Sequence, residues 1–205
     1  MIRIAVFVSG GGTNLQALLD AEKSGQLKSG RIALVVSSRP GVYALERAAK
    51  AGVPAVVVSR KDCRDQAEFE ERLLAALEAQ GIDMIVLAGF LSILSADFTA
   101  RFPQRILNVH PSLIPSFCGR GFYGLKVHEA ALAYGVKVTG ATVHYVNEIP
   151  DGGQILLQKA VEVLPGDTPE RLQRRVMEQA EWILLPRAAE LVSAAILQEA
   201  GERND

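Results

Sequence analysis

Hydrophobic positions along this chain come in short unbroken runs rather than in strict alternation. "IRIAVFV" (2–8), "RIALVVSS" (31–38), "PAVVVS" (54–59), "DMIVLAG" (83–89) and "RILNVH" (105–110) are rich in Val and Ile. Such runs predict strands covered on both faces, and so a parallel sheet. Between them, "NLQALLDAEKSG" (14–25), "GVYALERAAKAG" (41–52) and "QAEFEERLLAALEAQG" (66–81) mix apolar and charged positions as amphipathic helices do. Strand and helix in turn predict an α/β, doubly wound fold.

After residue 120 the texture changes. "KVHEAALAYG" (126–135) reads as a helix, and "VKVTGATVHYV" (136–146) and "QILLQKAVEVL" (154–164) as longer, partly alternating strands. "PDGG" between those two strands predicts an antiparallel hairpin. A long closing helix follows, capped by Thr168 with Pro169 at its first position. Pro186 should kink or break it. The expected architecture is a mostly parallel, Rossmann-like sheet with a C-terminal antiparallel hairpin and a long closing helix. No linker or repeat divides it, so residues 1–205 read as one domain with a frayed tail at 201–205.

Composition narrows the class. The apolar content of 49% suffices for a sizeable core, and the net charge is −1, from 22 basic and 23 acidic residues. That balance offers no field to attract nucleic acid or a membrane surface. Cys63 and Cys118 form no CxxC pattern, and the histidines have no metal-ligand spacing, so no metal is expected. The short apolar start lacks the form of a signal peptide, and no run approaches the ~18 residues of a membrane span. A soluble, cytoplasmic chain is the expectation.

Two stretches carry candidate chemistry. In "VFVSGGGTN" a strand runs through glycines into a helix start, where backbone N–H groups can hold an anion. Leu15 stands where a dinucleotide fingerprint would need glycine, and GK[ST] is missing. A small anion such as a monophosphate fits, with Thr13 and Asn14 as added donors; a bare tight turn is the alternative. In "NVHPSLIPS", Asn108 and His110 stand two apart at the carboxyl end of a strand. They face one way, at the end that carries ligands in open α/β sheets. Asn can donate to an oxyanion and His can move a proton near neutral pH; a buried polar pair serving the loop backbone is the alternative. His128 reads as exposed or capping, His144 as either cleft-lining or core, and Asp151 alone as turn punctuation.

In combination, "SGGGTN", "NVHPSLIPSF" and "VTGATVHYVNEIPDGGQILLQ" resemble the folate-dependent glycinamide ribonucleotide formyltransferases, in the right order and over nearly the whole chain. The resemblance implies transfer of a formyl group from 10-formyltetrahydrofolate to the amine of phosphoribosylglycinamide, in purine synthesis, without a metal or a covalent enzyme intermediate. It implies Asn108 as the oxyanion donor, His110 as the catalytic imidazole and Asp151 as the carboxylate that keeps His110 protonated near neutral pH. Gly12, Thr13, Asn14 and Glu181 would bind the ribotide. Leu91, Ser92, Ile93 and Leu94, with Asn108 and Arg64, would bind the folate. The partners implied are small molecules, not nucleic acid or membrane, with a homodimer left open. The chain departs from the family pattern in a longer loop at 117–130, in Ser92 where Arg is common, and in Trp182 where His is usual. A formyl folate deformylase, a tRNA formyltransferase, a nucleotide-binding oxidoreductase and a non-catalytic metabolite sensor are the rivals. The first two should carry an extra N-terminal or C-terminal domain, for which 205 residues leave no room.

Overall fold

The computed structural model describes residues 1–202. In chain order its elements are β1 (Ile2–Val8), α1 (Thr13–Lys23), β2 (Gly30–Ser37), α2 (Tyr43–Lys50), β3 (Ala55–Val57), α3 (Gln66–Ala79), β4 (Met84–Leu87), α4 (Ala96–Ala100) and β5 (Ile106–His110). Then come α5 (Leu125–Tyr134), β6 (Val138–Tyr145), β7 (Ile155–Glu162), α6 (Pro169–Val176) and α7 (Trp182–Glu202). A 3-10 turn lies at Arg60–Asp62 and a π-helical turn at Met177–Glu181.

The strands form one sheet in the order β3-β2-β1-β4-β5-β6-β7. The five N-terminal strands pair in parallel; β5–β6 and β6–β7 are antiparallel. The expected doubly wound fold with its hairpin and closing helix is therefore present. Side chains alternate between two cores, as the pleat demands. Ile4, Val6, Val8, Leu107 and Val109 pack on the side of α1, α2, α5, α6 and α7. Ala5, Phe7, Ile85 and Ile106 pack on the side of α3 and α4. Apolar burial on both faces is why these strands read as unbroken hydrophobic runs.

Strand order reverses at β1, since the chain winds outward to β2 and β3 and then returns to β4 on its other side. The crevice above that switch point is where α/β sheets bind ligands. The glycine loop after β1, residues 88–94 after β4 and the end of β5 all open there.

Three expectations change. The closing helix runs through Pro186 to Glu202, and its irregularity lies upstream in the π turn. Pro186 sits five residues past that turn, inside α7, whose helix continues beyond it. The tail expected to fray from 201 is still helical at Gly201 and Glu202; 203–205 lie outside the described residues. The short helix α4 was not anticipated. Ser95 caps it by accepting from the Phe98 N–H at 3.1 Å.

Candidate active site

Asn108 and His110 occupy the last turn of the pleat on β5, on the same face, with Leu107 and Val109 turned into the opposite core. Antiparallel pairing sets His144 directly across from Asn108 and Thr142 across from His110. The hairpin loop then returns Asp151 over the same spot. Its carboxylate lies 3.5 Å from His110 Nδ1 and 3.6 Å from His144 Nε2. The Asn–His–Asp set that the family resemblance implies is thus assembled from one parallel strand and the loop of an antiparallel hairpin.

The hydrogen bonds fix the orientation of each member. His144 Nδ1 donates to the Tyr145 carbonyl at 2.7 Å, which leaves Nε2 as an acceptor. Asn108 Nδ2 donates to that Nε2 at 3.1 Å and to Asp151 Oδ1 at 3.4 Å. His144, undecided from sequence, is therefore the group that holds the Asn108 amide. His110 Nε2 donates to the Phe117 carbonyl at 2.8 Å. The Gly119 N–H donates to Asp151 Oδ2 at 2.8 Å. The long loop after β5 is thus tied to both partners of the His–Asp pair. Phe117 and Asp151 both sit at positive φ, 50° and 56°, among only three non-glycine residues that do so in the described chain. Backbone strain of this kind, about 1–3 kcal/mol per residue, collects where geometry serves function.

Electrostatics corrects one expectation. Burial pushes the His110 pKa down; the Asp151 charge and the Phe117 carbonyl push it up, and the net direction is down. In the free chain, then, desolvation outweighs the carboxylate that was expected to keep His110 protonated. Burial acts to raise the Asp151 carboxyl. The His144 ring beside it, the charge of His110 and the Gly119 N–H outweigh it, so Asp151 is held below its ordinary value.

The glycine loop lies beside this set. Gly12, at φ 72°, is the N-cap of α1, and no side chain caps that helix, so its first N–H groups are available to a ligand. A Cβ on Gly12 would fall 2.7 Å from Ala44 Cβ, which only glycine avoids. At Gly10 and Gly11 a Cβ would meet nothing within 4 Å. The turn itself needs glycine only at 12, and the open space at 10 and 11 leaves the backbone approachable. The loop carbonyls are taken from behind, Gly10 by the Ala44 N–H at 3.2 Å and Gly11 by Arg47 Nε at 2.9 Å. Across from the loop, the π turn presents Glu181, whose Oε2 accepts from Asn14 Nδ2 at 2.7 Å. Burial pushes that carboxyl up to about 7, against the hydrogen bond from Asn14.

A cavity of about 230 Å³ collects these groups: Thr13, Asn14, Asn108, His110, Asp151 and Glu181 all line it. A second, of about 110 Å³, is lined by Ser92, Ile93, Leu94 and residues 146–150, and shares Asn108 and Asp151 with the first. Leu91 lines the first. Leu91 and Ser92 also border a wider cleft of about 670 Å³ whose wall carries Arg39, Arg60 and Lys61. Arg64 lines none of these three. It lies just before α3, its side chain is 85% exposed, and its Nε pairs with Glu68 Oε2 at 2.9 Å. Register, not chemistry, misplaced it: the 3-10 turn at Arg60–Asp62 points Arg60 and Lys61 to the cleft instead.

His128 is also corrected. It was expected to be exposed or capping, yet it is fully buried and lines the first cavity. Its apolar neighbours Val127 and Ala131 make one buried stripe on α5, and that spacing was the available signal. Among the described residues no cluster of His, Cys, Asp or Glu suits a metal ion, and no helix is long and apolar enough to cross a membrane.

A family model described as Formyl transferase matches residues 2–188. The chain belongs to this family. Within it, the chain is 41% identical over 186 residues to phosphoribosylglycinamide formyltransferase of Haemophilus influenzae, covering 91% of this chain and 84% of that one. It is 43% identical over 196 residues to the trifunctional purine biosynthetic protein adenosine-3 of Homo sapiens, covering 96% of this chain. It spans only 19% of that relative's length, and 14% of the Drosophila pseudoobscura counterpart. The fold matches the crystal structure of glycinamide ribonucleotide transformylase 1 from Symbiobacterium toebii with a TM-score of 0.88 at 44% identity, covering 95% of this chain and 89% of that one. This formyl transferase chain therefore shares its sheet, hairpin and closing helix with structurally characterised relatives.

Proposed function

We propose that the chain is a phosphoribosylglycinamide formyltransferase that takes its formyl group from 10-formyltetrahydrofolate. The carrying observation is that two cavities meet at Asn108 and Asp151, one walled by Thr13, Asn14 and Glu181, the other by residues 92–94 and 146–150. Two substrates entering from opposite sides would meet at the Asn–His–Asp set. The ribotide phosphate sits on the uncapped start of α1 at Gly12, Thr13 and Asn14, with Glu181 receiving the ribotide's hydroxyl groups. The folate ring occupies the second cavity against Leu91–Leu94. Its carboxylate tail reaches the basic wall of Arg39, Arg60 and Lys61, which offsets the lack of an arginine at Ser92. The sites are small-molecule sites, and nothing in the charge balance calls for nucleic acid.

The chemistry follows from the groups present. The ribotide amine attacks the formyl carbon, forming a C–N bond while the carbonyl pair moves to oxygen. Asn108 Nδ2 donates to that oxyanion, and so releases His144 or Asp151. A preorganised donor of this kind is worth about 10²–10³ in rate. Collapse breaks the bond to the folate nitrogen, which takes a proton as the amine nitrogen loses one. His110 carries this proton, and the Asp151 carboxylate favours the cation that His110 becomes as it takes the proton up.

A product assay tests the reading. With both substrates, free tetrahydrofolate should appear together with formylated ribotide and without formate. Formate released without ribotide would make the chain a deformylase, and neither product would leave the set without this acceptor.

A further inference from the structure

In the described chain, side-chain polar atoms that are buried and lack any hydrogen-bond partner are five: Asn14 Oδ1, His128 Nδ1, His128 Nε2, Thr139 Oγ1 and Trp182 Nε1. Three of the five belong to residues lining one cavity, the one that also holds His110 and Glu181. A buried polar atom without a partner costs about 1–3 kcal/mol, so orphans are rare unless something else pairs them. His128 carries two such atoms on one fully buried ring, in the first turn of α5. The start of that helix has no side-chain cap, and Phe122, Tyr123 and Gly124 lead into it along the same cavity wall.

We propose that His128 is a ribotide-contacting residue: its ring donates one hydrogen bond to the acceptor substrate and accepts another. This rests on the reading of the cavity as the ribotide site. The chemistry matches, because an uncharged imidazole has one N–H and one lone pair, and the amide and hydroxyl groups of a ribotide both give and take hydrogen bonds. Burial, and then the charge of His110, push its pKa down to about 4, so it meets the ligand uncharged across the neutral range. The contact falls on the ribotide rather than the folate. His128 shares the cavity of Thr13, Asn14, Gln173 and Glu181, and it does not line the second cavity at residues 92–94.

The two roles open to a buried histidine have opposite signatures. A structural ring would be missed by the fold. An orphaned ring that waits for a ligand would not, because replacing it with an apolar side chain removes two unpaired atoms. His128→Leu in the full chain should keep or raise the melting temperature. In calorimetric titration it should weaken phosphoribosylglycinamide binding by about tenfold or more, as the loss of two hydrogen bonds implies, and leave the KM for formyl folate unchanged. His128→Gln, which keeps a donor and an acceptor, should recover part of the affinity. In the unaltered chain, the ring ¹⁵N resonances of His128 should move when the ribotide is added. An unchanged ribotide affinity in His128→Leu, a lowered melting temperature accompanying its loss, or unmoved ¹⁵N resonances would each overturn the assignment while leaving the ribotide site itself standing. Failure of the unaltered chain to bind the ribotide would instead remove the reading of the cavity, and this contact with it.

Discussion

Replacing Asp151 with Asn removes one charge and little else. The position sits at φ 56°, a left-handed conformation that Asn tolerates nearly as well as Asp. The amide oxygen can still accept from the Gly119 N–H. What disappears is the attraction between the carboxylate and a protonated His110, whose Nδ1 is 3.5 Å away. At that separation Coulomb's law gives about 5 kcal/mol for an effective dielectric of about 20 and about 1 kcal/mol for about 80. Both side chains are nearly buried, at 5% and 13% exposure, so the pair belongs nearer the upper figure. At 1.36 kcal/mol per tenfold, turnover through the imidazolium should fall between about tenfold and a few thousandfold. The sign is fixed. Burial already pushes the His110 pKa down, Asp151 opposes it, and without Asp151 it goes further down. The surviving activity should therefore shift toward lower pH. Steady-state release of tetrahydrofolate across pH 5–9, with imidazole resonances followed in parallel, reads both effects. Wild-type turnover with an unmoved pH profile would refute the pairing.

Three further outcomes follow from the site. Glu181, raised from 4.5 to about 7 by burial, costs the fold nothing below pH 4.5 and loses stability as pH rises through 7, so Glu181→Gln should gain roughly 3 kcal/mol at pH 8 and nothing at pH 4 in denaturant titrations. Gly12→Ala combines a positive φ with a Cβ 2.7 Å from Ala44 Cβ. It should cost about 1–3 kcal/mol of stability and weaken ribotide binding by displacing the loop, as a melt and a titration would report. Arg60→Ala and Lys61→Ala should each raise the KM for formyl folate by a small factor, about two- to fivefold for an exposed charge contact, while Arg64→Ala, at 85% exposure beside Glu68, leaves it unchanged.

How much could be read in advance depended on whether a signal was local. The strands announced themselves because both their faces are buried, and Asn108 and His110 because a period of two fixes their common side. The His–Asp pairing was legible only through family resemblance, since Asp151 reaches His110 across a hairpin and 41 residues of chain (151 minus 110). The loop contacts were not legible at all. Phe117 gives its carbonyl and Gly119 its N–H, and any residue type carries those groups. His128 was read as exposed or capping, whereas the buried stripe it makes with Val127 and Ala131 turns it inward. The net direction of the His110 shift depended on burial, which no spacing of residues reveals.

The pairing of β5 with β6 also makes the chemistry an index of folding. A slip of one residue in that ladder would set Val143 or Tyr145, not His144, opposite Asn108. It would turn every side chain of β6 to the wrong face and carry the hairpin loop, with Asp151, out of reach. A misregistered sheet could remain compact yet would have no Asn–His–Asp set. In this chain, inactive but folded molecules and mispaired hairpins should be the same population, and the appearance of turnover during refolding should report the moment at which β6 finds its place.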